Sequence, residues 1–164
     1  MRTRQAARIG SAAVAALMLA AGLAACNKQY IPNTAIEDTP ENREVVNYCE
    51  RYRHAIEDLN VGLLLSMASP RYFDNSGTAT GDDDFDRRGL EKILVERFES
   101  VDAIRYEIKY RDVYEGEGRV YVDYTYTMSF QYEVDGKSQW ANKTADNRLE
   151  LERVDGGFLI VSGM

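Results

Sequence analysis

The chain has 164 residues and a formal net charge of −7, with 27 acidic side chains against 20 basic ones and a single histidine. An acidic surface repels nucleic-acid phosphates, and no basic stripe is present to override that, so no nucleic-acid partner is expected. The length suits one domain with a real core, and two cysteines cannot make a disulfide scaffold.

Arg2, Arg4 and Arg8 form a positive leader, and the run from Ile9 to Ala25 is built of Ala, Leu, Ile, Val, Met, Gly and Ser. That is the layout of a signal peptide. A membrane-spanning helix takes about 20 apolar residues, and this run stops short at Cys26, with Asn27, Lys28 and Gln29 behind it. Its end, Leu23-Ala24-Ala25-Cys26, resembles the lipobox of bacterial lipoproteins residue for residue. The resemblance implies cleavage between Ala25 and Cys26, a diacylglycerol on the Cys26 sulfur and often an acyl chain on the new amine, so that membrane lipid is a partner. Each buried CH₂ contributes about 0.8 kcal/mol, so one chain anchors marginally and two or three anchor stably. The alternative is an ordinary cleaved signal peptide with an incidental cysteine. Asn27 stands where an inner-membrane retention signal would have Asp, so the resemblance implies the outer membrane, facing the periplasm, in a Gram-negative host.

The organisation expected is a signal peptide over 1–25, a lipidated cysteine and tether over 26–39, and one α+β domain over 40–164. Pro32, Asn33, Thr34, Asp38 and Thr39 give the tether little periodicity. Thr39 is placed as N-cap with Pro40 at the first helical position. One helix is predicted from about 40 to 67, with Val45, Cys49, Tyr52, Ile56, Leu59 and Leu63 on its buried stripe and Ser69-Pro70 ending it. Cys49 on that stripe reads as a buried thiol rather than a nucleophile, since nothing near it in sequence would lower its pKa.

A polar connection over 71–86 follows, ending in the acidic cluster Asp82, Asp83, Asp84 and Asp86. Asp82, Asp84 and Asp86 have the spacing of a calcium loop, but Arg87 stands where its glycine would be and Ile93 where its bidentate glutamate would be. A solvated loop ending in a helix cap at Asp86 is the preferred reading, and no metal or cofactor is called for. The second helix should bury Leu90, Ile93, Leu94, Phe98 and Val101.

From Ile104 the period is two. Ile104, Tyr106, Ile108 and Tyr110 share one face of a first strand. In the next, Val120, Val122, Tyr124, Tyr126, Met128, Phe130 and Tyr132 alternate with polar residues. Asp135-Gly136 is a two-residue hairpin turn, which sets Val122 opposite Leu149, Val120 opposite Leu151, Asp123 opposite Arg148 and Arg119 opposite Glu152. Apolar meets apolar and opposite charges meet, as cross-strand pairing favours. Tight closure at Gly116 would pair Val113 with Val120 yet leave Tyr110 against the outward Asp123, so a β-bulge is predicted near Asp112. Asp155-Gly156-Gly157 turns into a last strand, apolar on both sides at Phe158 to Val161, and therefore covered on both faces.

Two N-terminal helices packed on a curved antiparallel sheet of four or more strands, two of them long, make an α+β domain. With the Ser69-Pro70-Arg71-Tyr72-Phe73-Asp74 helix exit and the closing Leu149-Glu150-Leu151 and Phe158-Leu159-Ile160-Val161 strands, this order resembles the cone of the nuclear transport factor 2-like superfamily, which includes ketosteroid isomerase, scytalone dehydratase and polyketide cyclases. Many of its members bind or assemble without catalysis, so the fold alone decides no chemistry.

The turn register puts Gln139, Lys143 and Asn147 on the concave face among aromatics, a mixture typical of small-ligand pockets. The candidate pocket is Tyr52, Tyr72, Phe73, Tyr106, Tyr124, Tyr126, Phe130, Lys143 and Asn147. Alternatively the sheet bulges near residue 140 and turns Lys143 outward. Enzymes of the superfamily use an acid–base group in the cone, and Asp74, Tyr52 and His54 are the candidates here; His54 falls opposite the buried stripe and Asp74 also suits a turn. Two classes remain: an envelope-anchored small-ligand-binding or assembly module without catalysis, or a small-molecule lyase, isomerase or cyclase. A small apolar ligand and a homodimer across the outer sheet face, through Thr125, Thr127, Ser129, Gln131 and Trp140, are the partners considered.

Overall fold

The structure, a computed structural model, describes residues 28–78 and 80–164. The expected signal peptide, the expected cleavage point at Ala25 and the expected lipidation residue Cys26 lie outside the described residues. No helix among the described residues is long and apolar enough to cross a membrane.

Residues 28–39, expected as a free tether, instead fold back on the domain. Tyr30 bridges Glu37, the Ile31 N–H donates to Ile36 O (2.9 Å), and Ile36 is 3% exposed within the core. Ile31 packs beside Ile36, and α1 holds the segment through Asn42 Nδ2 donating to Glu37 O (2.8 Å) and Arg43 bonding Asp38, contacts that leave no periodic trace in the sequence.

Helix α1 (Pro40–Glu57) starts as expected, with Thr39 Oγ1 accepting the Asn42 N–H at 3.1 Å. Val45, Cys49, Tyr52 and Ile56 are buried, and burial pushes the Cys49 thiol up, away from a reactive thiolate. The helix does not continue to residue 67. Leu59 takes a left-handed φ of 52°, and the Asn60 N–H returns to Ala55 O (2.9 Å). The Asn60 side chain then accepts the Leu63 N–H (2.9 Å) and starts a second helix, α2 (Val61–Met67). A left-handed non-glycine residue costs roughly 1–2 kcal/mol, and the paired helix ends offset it. The break rotates the apolar stripe, so that Leu64 and Met67 are buried while Leu63 is 41% exposed.

Two two-residue strands, β1 (Phe73–Asp74) and β2 (Phe85–Asp86), pair across the polar connection and close it as a ribbon. Asp86 then caps α3 (Arg87–Glu99), its carboxylate accepting the Arg88 and Gly89 N–H groups at 3.0 Å. Leu90 and Leu94 of α3 are buried, whereas Ile93 and Phe98, expected on the same face, are only partly so, and Val101 lies past the end of the helix, where it is also only partly buried.

Strands β3 (Ala103–Gly116), β4 (Arg119–Val134), β5 (Lys137–Val154) and β6 (Gly157–Ser162) form one antiparallel meander, three of them long rather than two. The ladder of β4 and β5 runs unbroken from Val134 and Lys137 to Val120 and Leu151, with Val122 opposite Leu149 and Asp123 opposite Arg148. The β3–β4 register shifts between Tyr110 and Asp112, the predicted bulge. That hairpin closes one residue later than expected, at Glu117-Gly118, so Val113 faces Val122 and not Val120. Arg119 pairs diagonally with Glu150 (2.5 Å) rather than with Glu152. Glu152 is drawn to Ser69 and Arg71 of the α2 exit instead.

Both sheet edges are engaged. On β3, the Tyr106 N–H donates to Glu57 Oε1 (3.0 Å). On β6, Ala68 bridges Ile160 and the Ser69 N–H donates to Ile160 O (2.7 Å). Among the described residues, the core joins Val120, Val122, Tyr124, Leu149, Leu151 and Ile160 to α1 and α2, with members from Ile31 to Met164. No buried side-chain polar atom among the described residues lacks a hydrogen-bond partner. The described residues 28–164 enclose one continuous core of the kind an independently folding domain has.

Asp123, Asp146 and Glu152 carry carboxyls held below the usual range, chiefly by hydrogen bonds from Arg148, Thr125 and Ser69 respectively. Each folded-state value lies below its unfolded one, so the stability it contributes is present above the unfolded carboxylate pKa of about 4 and is lost as pH falls through the folded value. The urea midpoint is expected to drop on acidification below about pH 4, and Asp123→Asn should shrink that drop while lowering the midpoint at pH 7. An unchanged pH profile in Asp123→Asn would remove the Arg148 bond from this account.

Candidate functional site

Along β4 the inward side chains are fully buried only as far as Tyr124; Tyr126, Met128 and Phe130 are partly covered. The sheet outruns the helices, and the space between its far half and α3 is a chamber of about 350 Å³. Its apolar wall comes from Ile56 and Leu64 of the first two helices, Leu94, Phe98 and Val101 around the end of α3, and Ile104, Met128 and Phe130 of the sheet. Tyr52, Tyr106 and Tyr126 add aromatic surface, with the Tyr106 and Tyr126 rings stacked at 5.3 Å.

Lys143 and Asn147 reach the same space from β5. Because the ladder is continuous through residue 140, Lys143 is not turned outward; it sits opposite Met128, with Nζ 5.9 Å from the centre of the Tyr126 ring. Asn147 Nδ2 donates to Tyr124 Oη (2.9 Å) and to Gly163 O (2.8 Å). The Tyr52, Tyr106 and Tyr124 hydroxyls interact with one another, and burial pushes all three phenols up.

Of the nine residues expected to line a pocket, Tyr52, Tyr106, Tyr126, Phe130, Lys143 and Asn147 do so. Three do not. Tyr124 is fully buried behind the wall, and Phe73 is 54% exposed on the short ribbon. Tyr72 is buried beneath the closing segment, where its hydroxyl donates to Asp74 Oδ2 (3.1 Å) and accepts the Met164 N–H (3.1 Å).

Asp74 is part of that seat. Its Oδ2 also accepts the Gly163 N–H (2.7 Å) and its Oδ1 the Ser76 N–H (2.8 Å). Residues 163–164 are thereby held against the sheet, and Met164 lines the chamber on one side and a polar cleft of about 670 Å³ on the other. His54 points away from the chamber, its side chain 61% exposed beside Glu57.

As pocket lining, sequence reasoning missed Arg97, Ser100, Val101 and Met164, as well as Ile56, Leu64, Leu94, Phe98, Ile104 and Met128, whose apolar character it read only as core or inward-facing positions or did not place. A basic residue in the last turn of an amphipathic helix was the available signal for Arg97. Among the described residues, no group of three or more His, Cys, Asp or Glu side chains converges as a metal site. On the outer sheet face, Thr125 donates to Asp146 (2.7 Å), Thr127 meets Thr144 (3.3 Å) and Gln131 bonds Ser138. Trp140 is exposed there, with Arg105 5.5 Å over its ring.

The sequence matches no protein-family model and no curated protein. Solved structures do resemble it. A conserved protein from Planctomyces limnophilus aligns at 10% identity over 75% of this chain and 92% of that one, with a TM-score of 0.63. A protein of the NTF2-like family from Streptomyces avermitilis aligns at 11% identity over 76% and 95%, with a TM-score of 0.63. A nuclear transport factor 2-like superfamily protein from Salmonella enterica aligns at 11% identity over 74% and 86%, with a TM-score of 0.58. The fold is thus that of the nuclear transport factor 2-like cone, three helices packed on a curved antiparallel sheet.

Proposed function

We propose that this chain is an envelope-anchored lipoprotein, held by acyl groups on Cys26, whose single domain binds a small, largely apolar ligand in the cone without catalysis. The chamber carries the reading: about 350 Å³ of apolar and aromatic wall with a few polar groups, within the size range of small-molecule sites. Acid–base chemistry on such a ligand needs a proton acceptor that works near neutral pH. The chamber's titratable side chains are three phenols, an arginine and a lysine.

A lyase, isomerase or cyclase is the second reading, favoured by the dehydratase role proposed for the Streptomyces avermitilis neighbour. Of its three acid–base candidates, Tyr52 lines the chamber with its phenol pushed up by burial, His54 is exposed away from it, and both Asp74 oxygens are occupied by Ser76, Gly163 and Tyr72.

Residues 28–164 should enhance the fluorescence of N-phenyl-1-naphthylamine, an uncharged probe of the chamber's size. Val101→Trp and Met128→Trp, each filling the chamber from a different wall, should each abolish the enhancement while leaving the circular dichroism spectrum unchanged. Retained binding in both folded variants would remove the chamber as the site. The anchor is tested separately: in the full chain, an alkynyl fatty acid should label wild type and not Cys26→Ser, and equal labelling would exclude it.

A further inference from the structure

The chamber's charge narrows its ligand. Acidic residues outnumber basic ones by 27 to 20 in this chain, yet the chamber wall contains no aspartate or glutamate and two cations, Arg97 and Lys143. They come from opposite walls, Arg97 from the last turn of α3 and Lys143 from β5.

Neither has a salt-bridge partner among the described residues. Arg97 also borders the polar cleft, where four acids are present but already engaged: Asp123 by Arg148, Asp146 by Arg111, Glu150 by Arg119, and Asp74 by hydrogen bonds from Tyr72, Ser76 and Gly163. A basic residue in a last turn complements the helix dipole, which accounts for the sign of Arg97 but not for Lys143. The Asn147 amide is committed to Tyr124 and Gly163 O, so it offers no competing head-group donor on that side.

We infer, on the footing that the chamber binds a ligand at all, that the ligand is an amphipathic anion whose apolar body fills the chamber and whose acidic head is held by Arg97 and Lys143. Charge-assisted hydrogen bonds from a guanidinium and an ammonium are about twice as strong as neutral ones. Arg97 and Lys143 are both exposed residues, so an anion between chamber and solvent keeps part of its hydration and escapes the penalty of full burial.

Two probes that share one body separate the head group from the chamber. N-phenyl-1-naphthylamine is uncharged, and 8-anilinonaphthalene-1-sulfonate is the same ring system with a sulfonate. In residues 28–164 carrying Arg97→Gln and Lys143→Gln together, the sulfonate probe should bind about ten-fold more weakly than to wild type, and the uncharged probe should bind within about two-fold of wild type. The wild-type affinity for the sulfonate alone should fall as salt is raised. Unchanged sulfonate binding, or equal weakening of both probes, overturns the anion assignment and leaves the chamber standing. If neither probe binds, or if Val101→Trp and Met128→Trp block neither, the chamber reading itself fails and the anion assignment with it.

Discussion

Replacing Leu149 by alanine is expected to lower the unfolding free energy by about 3–4 kcal/mol, in the upper part of the range for leucine truncation in a core. Leu149 is completely buried, pairs with the equally buried Val122, and lies beneath the helices where β4 and β5 are most fully covered. The unbroken β4–β5 ladder leaves the backbone little room to collapse into the vacated space, so the cavity persists. Urea unfolding followed by circular dichroism measures the change, and its m-value should match wild type. Leu63→Ala, at a position 41% exposed, should cost less than about 1 kcal/mol. A Leu149→Ala cost as small as that of Leu63→Ala would mean the β4–β5 register is not the one described.

Gly163→Ala should be the most disruptive change of a single atom outside the core. Gly163 has a φ of 93°, and a Cβ there would lie 1.9 Å from the Arg148 carbonyl oxygen. That overlap with backbone admits no side-chain adjustment, so residues 163–164 must leave their seat. The cost is bounded by what the seat contributes: hydrogen bonds from Gly163 N to Asp74, from Met164 N to Tyr72 and from Asn147 to Gly163 O. At roughly 0.5–1.5 kcal/mol each, the loss should reach about 2–3 kcal/mol. Hydrogen exchange should show faster exchange at Gly163 and Met164 with β4 unchanged. Because Met164 divides the chamber from the polar cleft, the variant should also bind N-phenyl-1-naphthylamine more weakly. Wild-type stability in Gly163→Ala would contradict the tight approach to β5.

The parts of this architecture that could be read from the sequence are those where two independent signals agree. Asp135-Gly136 names a turn, and the apolar and charged pairs it aligns support the same register, so one supplied the test of the other. Thr39 and Asp86 carry cap chemistry just ahead of apolar periodicity. The bulge followed from an inward tyrosine, Tyr110, that could not face Asp123.

The break at Leu59 was hidden because a leucine takes the left-handed turn usually given to glycine, and because Leu59 and Leu63 extend the apolar spacing of α1 across it. The seat of residues 28–39 depends on Ile31, Ile36 and bonds from α1 to Glu37 and Asp38, with no period to betray it. Tyr72 and Phe73 were placed in the pocket by residue type alone, and the short ribbon sends one under the closing segment and the other to solvent. Arg97 and Val101 belong to the chamber only because α3 stops before the sheet does, which is a matter of relative length between elements that no local pattern encodes.

The hydrogen bonds from Tyr106 to Glu57 and from Ser69 to Ile160 bear on how copies of this protein associate. A sheet with a vacant margin recruits further chains by adding strands, the route to open-ended aggregates. Here an incoming strand would have to displace a carboxylate at one margin and the residues behind α2 at the other, before gaining a ladder of its own. Growth by strand addition is therefore disfavoured at both margins of this sheet.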